Sequence, residues 1–182
     1  ADKFVEALGD DLVTIAQSPR GLIHARATTK GSEKQNENNH PVVGFNWAVV
    51  HNGMVHNDDD VWAHYKASDN LERFADVDTS VIPLVLGRGA TIEESIRNLS
   101  ILGGSRTITT WSSLDIERIV LARFGHNDLY MFHDASAEIM YWSSASSAAF
   151  LMTGPTFGGH KFLSYSKLAD SHVLVLQAGG FK

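Results

Sequence analysis

A chain of 182 residues with 43% hydrophobic content is long enough to bury one substantial core and short for two, so a single domain over residues 1–182 is expected. A formal net charge of −6 without any basic run argues against nucleic acid or an anionic membrane as the main partner. No apolar stretch approaches membrane-spanning length, and Ala1-Asp2-Lys3-Phe4 lacks the hydrophobic segment of a signal peptide, which points to a soluble, cytoplasmic protein. The absence of Cys excludes disulfides, thiolate metal sites and a cysteine nucleophile within these residues.

In chain order, Phe4, Leu8, Leu12 and Ile15 line one face of a helix predicted over residues 2–17, which Ser18-Pro19-Arg20-Gly21 ends. Residues 21–26 read as a strand and 27–39 as a polar loop. Residues 42–52 are mostly apolar and predict one buried strand that drops into Asn52-Gly53. Asn57 and Asp58 can cap a following helix with Val61, Trp62 and Tyr65 inward, and Asp58, Asp59 and Asp60 suit the positive end of its dipole. A calcium loop would need alternating ligands, which this run lacks. A helix over 80–87 tolerates Pro83 near its start. Thr91 with Glu94 three residues later is a capping box for a helix carrying Ile92, Ile96 and Leu99, stopped by Gly103. From Ser105 the period changes to two, giving strands at 106–111, 117–124, 128–133 and 138–142 in an antiparallel meander. A short helix over 143–151, a loop over 154–159 and a last strand over 171–177 complete an α+β architecture.

The segment Val49-Val50-His51-Asn52-Gly53 admits two readings. Asn-Gly is a common hairpin turn, because Gly supplies positive φ and Asn tolerates it. The same pair can aim the Asn52 side-chain amide and the Gly53 N–H at one point, as an oxyanion hole requires. Nine His without Cys raise the question of a metal, yet no pair has ligand spacing with a carboxylate nearby, so neither metal nor cofactor is expected.

Taken in series, Gly21-Leu22-Ile23-His24-Ala25-Arg26-Ala27-Thr28-Thr29-Lys30-Gly31, Asn38-Asn39-His40-Pro41, Val49-Val50-His51-Asn52-Gly53 with Asn57, and Asp78-Thr79 with Val81-Ile82 resemble the class II glutamine amidotransferases in order and spacing. Leu102-Gly103-Gly104-Ser105, Leu121-Ala122-Arg123 and Trp142-Ser143-Ser144 resemble further stretches of that family more loosely. The resemblance implies an N-terminal nucleophile hydrolase fold, a four-layer αββα sandwich, here incomplete at its N-terminus. It implies hydrolysis of the side-chain amide of L-glutamine by an N-terminal Cys, with the ammonia passed to a second site. By the same resemblance Asn52 and Gly53 are the catalytic oxyanion donors. Arg26 holds the substrate α-carboxylate through its planar fork, Asp78 holds the ammonium, and Thr29 is a further contact. His24, His40 and His51 are structural residues near the site. His56 and His64 face solvent, and Trp47, Trp62, Trp111 and Trp142 pack in the interior.

Departures from the family pattern matter as much. Ala27 stands where an aromatic residue usually follows the Arg, and Ser80 where Glu usually follows Asp-Thr. Ala1 has an α-amino group but no nucleophile. Three readings follow: a fragment of a glutaminase domain that carries pocket and oxyanion hole but is itself inactive; a degenerate, non-catalytic glutamine-binding or interaction module; or another N-terminal nucleophile amidohydrolase. The first also implies a separate synthase or acceptor protein, and apolar surface that invites a homodimer.

Overall fold

The computed structural model describes residues 9, 11, 17–18, 20–25, 27, 30–134, 138–145, 147 and 164–177. Among these residues two antiparallel sheets form the centre of an α+β fold. The first has five strands in the order β1 (Val42–Gly44), β2 (Trp47–Gly53), β3 (Arg106–Ser112), β4 (Asp115–Phe124) and β8 (His172–Gln177). The second has three, with β5 (Tyr130–Asp134) between β6 (Ile139–Ser143) and β7 (Ser164–Lys167).

Period-two alternation sorts the side chains of the larger sheet into two cores. Val49 of β2, Ile108 of β3 and Val120 and Ala122 of β4 face the helices α1 (Asp58–Asp69), α2 (Val81–Leu86) and α3 (Ile92–Asn98), where Trp62, Ile82, Leu84 and Leu99 are buried against them. Ile119 and Leu121 face the other way and pack with Leu129, Leu168, Met131 and Trp142, joining the two sheets. Helices, five-stranded sheet and three-stranded sheet thus lie in succession. No described helix is long and apolar enough to cross a membrane.

Local chemistry explains the helices. Pro83 is the third residue of α2, where an N–H has no intrahelical partner to lose, and its carbonyl accepts the Gly87 N–H at 2.9 Å. Thr91 Oγ1 accepts the Glu94 N–H at 3.2 Å, and Glu94 Oε2 reaches back to the Ala90 N–H at 2.8 Å, a capping box closed one residue earlier than usual. This helix tightens into a 3-10 turn over Leu99–Ile101 before it reaches Gly103. Asn57 occupies the N-cap of α1 but makes no cap bond; its side chain accepts from Gly103 N–H at 2.7 Å and donates to the Ile101 carbonyl at 2.9 Å. Asp58 and Asp59 stand in the first turn of α1 and also pair with Lys30 and Arg73, which hold Asp59 below the usual carboxylate range.

Several sequence expectations need correction. Residues 42–52 are two strands, reversed at Phe45 (φ 50°) and Asn46 (φ 66°), and the two left-handed residues make a tight hairpin. Asn52-Gly53 is no turn: both residues pair with β3, as Asn52↔Thr107 and Gly53↔Arg106. Residues 21–25 form no strand. The later strands are not one meander, because after β4 the chain crosses to the second sheet and returns only at β8. Strand β7 had no counterpart in the sequence reading. Most of the helix expected over 2–17, most of that over 143–151 and all of the loop over 154–159 lie outside the described residues.

Asn38, fully buried, holds the loop ahead of β1 to the segment ahead of α2: its Oδ1 accepts from Asp76 N–H at 2.8 Å and Val77 N–H at 3.2 Å, and its Nδ2 donates to the Ser32 carbonyl at 3.1 Å. Asn38→Ala leaves those buried amides unpaired and is expected to cost about 1–3 kcal/mol. Urea denaturation of the two proteins checks this.

Candidate functional site

Between the two sheets opens a cleft of about 1930 Å³, bordered by β2, β3, β5 and β6 and by residues 20–25. Asn52, Gly53, Asp78, His24, His40 and His51 all line it. The structure therefore brings together every predicted site residue that it describes. Arg26 and Thr29 lie outside the described residues; Ala25 and Ala27 line the cleft.

Asn52 is exposed on the inter-sheet face of β2, in step with Val50 and opposite Thr107. Gly53 ends the strand with φ 139°, and a Cβ there would overlap the Ser105 carbonyl oxygen and stand 2.7 Å from Asn127 Nδ2. Only glycine fits such an approach. The ladder also fixes where the Gly53 N–H points. Met54 N–H donates to the Ser105 carbonyl at 3.0 Å and Ser113 N–H to the Asn46 carbonyl at 2.8 Å, so the even-numbered residues of β2 bond to β3. Alternation in an antiparallel pair then turns the Gly53 N–H away from β3. On that side the neighbouring strand β1 reaches only to Val42, opposite Val49.

Two cross-bonds set the 3-10 turn Asp78–Ser80 beside the end of β2. Asp78 Oδ2 accepts the Val55 N–H at 2.7 Å, and Thr79 Oγ1 lies 3.0 Å from His51 Nδ1. Asp78 is 3% exposed. Burial pushes its carboxyl above the usual range, the bonds from the Val55 and Thr79 amides pull it back, and Asp58 adds a further upward push. Thr79 Oγ1 is also 2.9 Å from His40 Nε2. One hydroxyl proton can serve only one of two ring nitrogens, so Thr79 donates to one histidine and accepts from the other. The His24 ring stands edge-on to His40 at 4.4 Å. Burial, with smaller unfavourable electrostatic contributions from His40, Arg106 and His24, lowers His51 to about 3 and keeps it neutral. Its Nε2 is buried without a hydrogen-bond partner among the described residues. Among those residues no group of three or more His, Asp or Glu stands close enough to hold a metal ion.

Sequence reasoning missed Asn127 and the part played by Ser105. Asn127 donates through Nδ2 to the Asn52 carbonyl at 2.8 Å, and Ser105 Oγ accepts from the His126 and Asn127 amides at 2.7 and 3.0 Å. The only local signal was the dense run of turn formers Gly125-His126-Asn127-Asp128 between two strands.

Comparison with known proteins places the fold. No family model matches the sequence. The chain is 28% identical over 138 residues to a 7-cyano-7-deazaguanine synthase of Saccharolobus solfataricus, a match over 74% of this chain and 28% of that protein. A 7-cyano-7-deazaguanine synthase of Sulfolobus acidocaldarius is 27% identical over 123 residues, covering 66% and 26%. The chain therefore spans about a quarter of the length of these relatives. Among solved structures, glutamine phosphoribosylpyrophosphate amidotransferase from B. subtilis superposes with TM-score 0.66 at 19% identity, over 87% of this chain and 33% of that one. A structure described as the allosteric regulatory enzyme of purine biosynthesis gives 0.57 at 18% identity, over 74% and 27%. A glutamine aminotransferase class-II domain protein from Silicibacter pomeroyi gives 0.52 at 16%, over 74% and 65%. The chain shares its fold with these three proteins.

The neutral His51 makes stability pH-dependent. An unfolded histidine takes up a proton near pH 6.5 but folded His51 only near about 3, so in that window the unfolded chain binds more protons. This contribution is full above about pH 6.5 and is lost as pH falls toward 3. His51→Gln is expected to make that acid limb shallower, as measured by denaturant unfolding across the same range.

Proposed function

We propose that this chain supplies the glutamine-binding pocket and oxyanion hole of a class II glutamine amidotransferase. The observation that carries the reading is the gathering of Asn52, Gly53 and Asp78 along one cleft, in the fold shared with those enzymes. When a nucleophile attacks the side-chain amide of glutamine, the carbonyl oxygen becomes an oxyanion. The Asn52 side chain and the Gly53 N–H are the donors that receive it, each worth about 10²–10³-fold in rate. Asp78 takes the substrate ammonium. Its carboxyl, raised by burial, is lowered again when the cation arrives, so binding weakens as pH falls through the raised value. Arg26 pairs the α-carboxylate through two hydrogen bonds, with Thr29 beside it.

These 182 residues contain no Cys, so the reading assigns them binding and charge stabilisation and leaves attack to a thiol outside them. The chain alone is expected to release no ammonia. The released ammonia needs an acceptor, and relatives named as synthases of a cyano compound favour one that takes it up as a nitrile nitrogen. The same lack of Cys is what favours the second reading, a glutamine-binding module without catalysis.

Calorimetric titration separates these proposals from a chain with no such pocket. L-glutamine is expected to bind saturably and D-glutamine far more weakly. Asp78→Asn is expected to weaken L-glutamine about ten- to hundredfold, the value of a hydrogen bond to a charged group. Absence of saturable binding contradicts the reading. In a longer protein that presents this chain behind an N-terminal Cys, Asn52→Ala is expected to lower kcat about 10²–10³-fold with KM little changed. No ammonia release by that protein, with glutamine still bound, selects the binding module.

A further inference from the structure

Asn127 lies in the turn between β4 and β5, and its side chain reaches back 75 positions to donate to the Asn52 carbonyl at 2.8 Å. That carbonyl and the Gly53 N–H are the two ends of one planar peptide group. A bond donated to the oxygen of an amide draws charge from its nitrogen and strengthens the N–H as a donor, as successive hydrogen bonds polarise one another. It also fixes the plane of the peptide, and with it the direction of the N–H. We propose that Asn127 is a positioning residue for the oxyanion-binding N–H of Gly53, acting through the Asn52–Gly53 peptide. This inference rests on the function proposed above and adds to it a residue without direct contact with the substrate.

The surroundings of Asn127 suit that role. Its backbone N–H donates to Ser105 Oγ at 3.0 Å, and its carbonyl accepts from Thr107 Oγ1 at 2.9 Å and Arg123 Nε at 2.8 Å. Arg123 is in turn fixed by Asp128 at 3.1 Å and by the Leu168 carbonyl at 2.8 Å. The donor is therefore held by β3, β4 and the segment beyond β7 before any ligand arrives. The missing side chain of Gly53 completes the arrangement, since a Cβ there would stand 2.7 Å from Asn127 Nδ2. Glycine at this position serves the approach of Asn127 as well as the positive φ.

A turn-bracing asparagine with no part in recognition predicts a different outcome, and a pair of ligands tells the two apart. Norvaline has the α-groups of glutamine and no side-chain amide, so it engages Arg26 and Asp78 but leaves the oxyanion donors empty. The experiment titrates L-glutamine and L-norvaline into the 182-residue chain, its Asn127→Ala variant and its Asn127→Asp variant, in which a carboxylate faces the Asn52 carbonyl and cannot donate. The preference for glutamine over norvaline is expected to fall about five- to tenfold in Asn127→Ala, and further in Asn127→Asp, with norvaline affinity unchanged. Equal weakening of both ligands, or an unchanged preference, overturns the inference and leaves the functional reading standing. Failure of the unsubstituted chain to bind glutamine overturns both. If neither variant folds, the unsubstituted chain decides by nuclear magnetic resonance. The Gly53 amide and the Asn127 side-chain amide are expected to shift together with glutamine and not with norvaline, and a Gly53 shift without one at Asn127 overturns the inference.

Discussion

The bond from the Val55 N–H to the buried carboxylate of Asp78 is the joint on which the cleft depends. It comes just beyond the end of β2, where the strand leaves its antiparallel ladder, and ties it to the 3-10 turn that leads into α2. Burying a carboxylate is costly unless hydrogen bonds repay the lost water, and the Val55 and Thr79 amides do so here. Four residues earlier on β2 the His51–Thr79 contact makes a second stitch to the same turn. Asn52 and Gly53 lie between the two stitches. Their placement beside the Asp78–Ser80 turn follows from the way the helical layer is fastened to the sheet.

The second constraint comes from the other side. Ser105 and Asn127 press so closely on Gly53 that no side chain fits, and the same two residues brace the turn between β4 and β5. The strand end is thus gripped by the helical side through Asp78 and Thr79 and by the sheet side through Ser105 and Asn127. Under the proposed function, a site held from both faces presents its donors without reorganising when charge develops, which is what makes such donors effective.

How much of this was legible in the sequence depended on the distance over which each signal acts. Helix α3 was readable because Thr91 and Glu94 lie within one turn, and β3 and β4 because alternation is carried by the residues themselves. The hairpin at Phe45-Asn46 was not, since an aromatic residue is an uncommon choice at positive φ and the nearby glycine, Gly44, stands one position before the two left-handed residues. Asn52-Gly53 looked like a turn because a glycine forced by a close neighbour and a glycine required by a hairpin are identical in one dimension. Asn57 carried a true cap signal, but the partners Gly103 and Ile101 outcompeted the helix for its side chain. The order of short motifs pointed to Asn52, Gly53, Asp78 and the three histidines, which the structure places along one cleft, whereas the Asn127 contact spans 75 positions and left no local trace.

The most direct test of the account is a crystal structure of the chain with L-glutamine bound. The account predicts the side-chain carbonyl oxygen within hydrogen-bonding distance of both the Gly53 N–H and the Asn52 side-chain nitrogen, with the ammonium on Asp78. Glutamine seated elsewhere in the cleft, or turned so that its amide points away from Gly53, would contradict it.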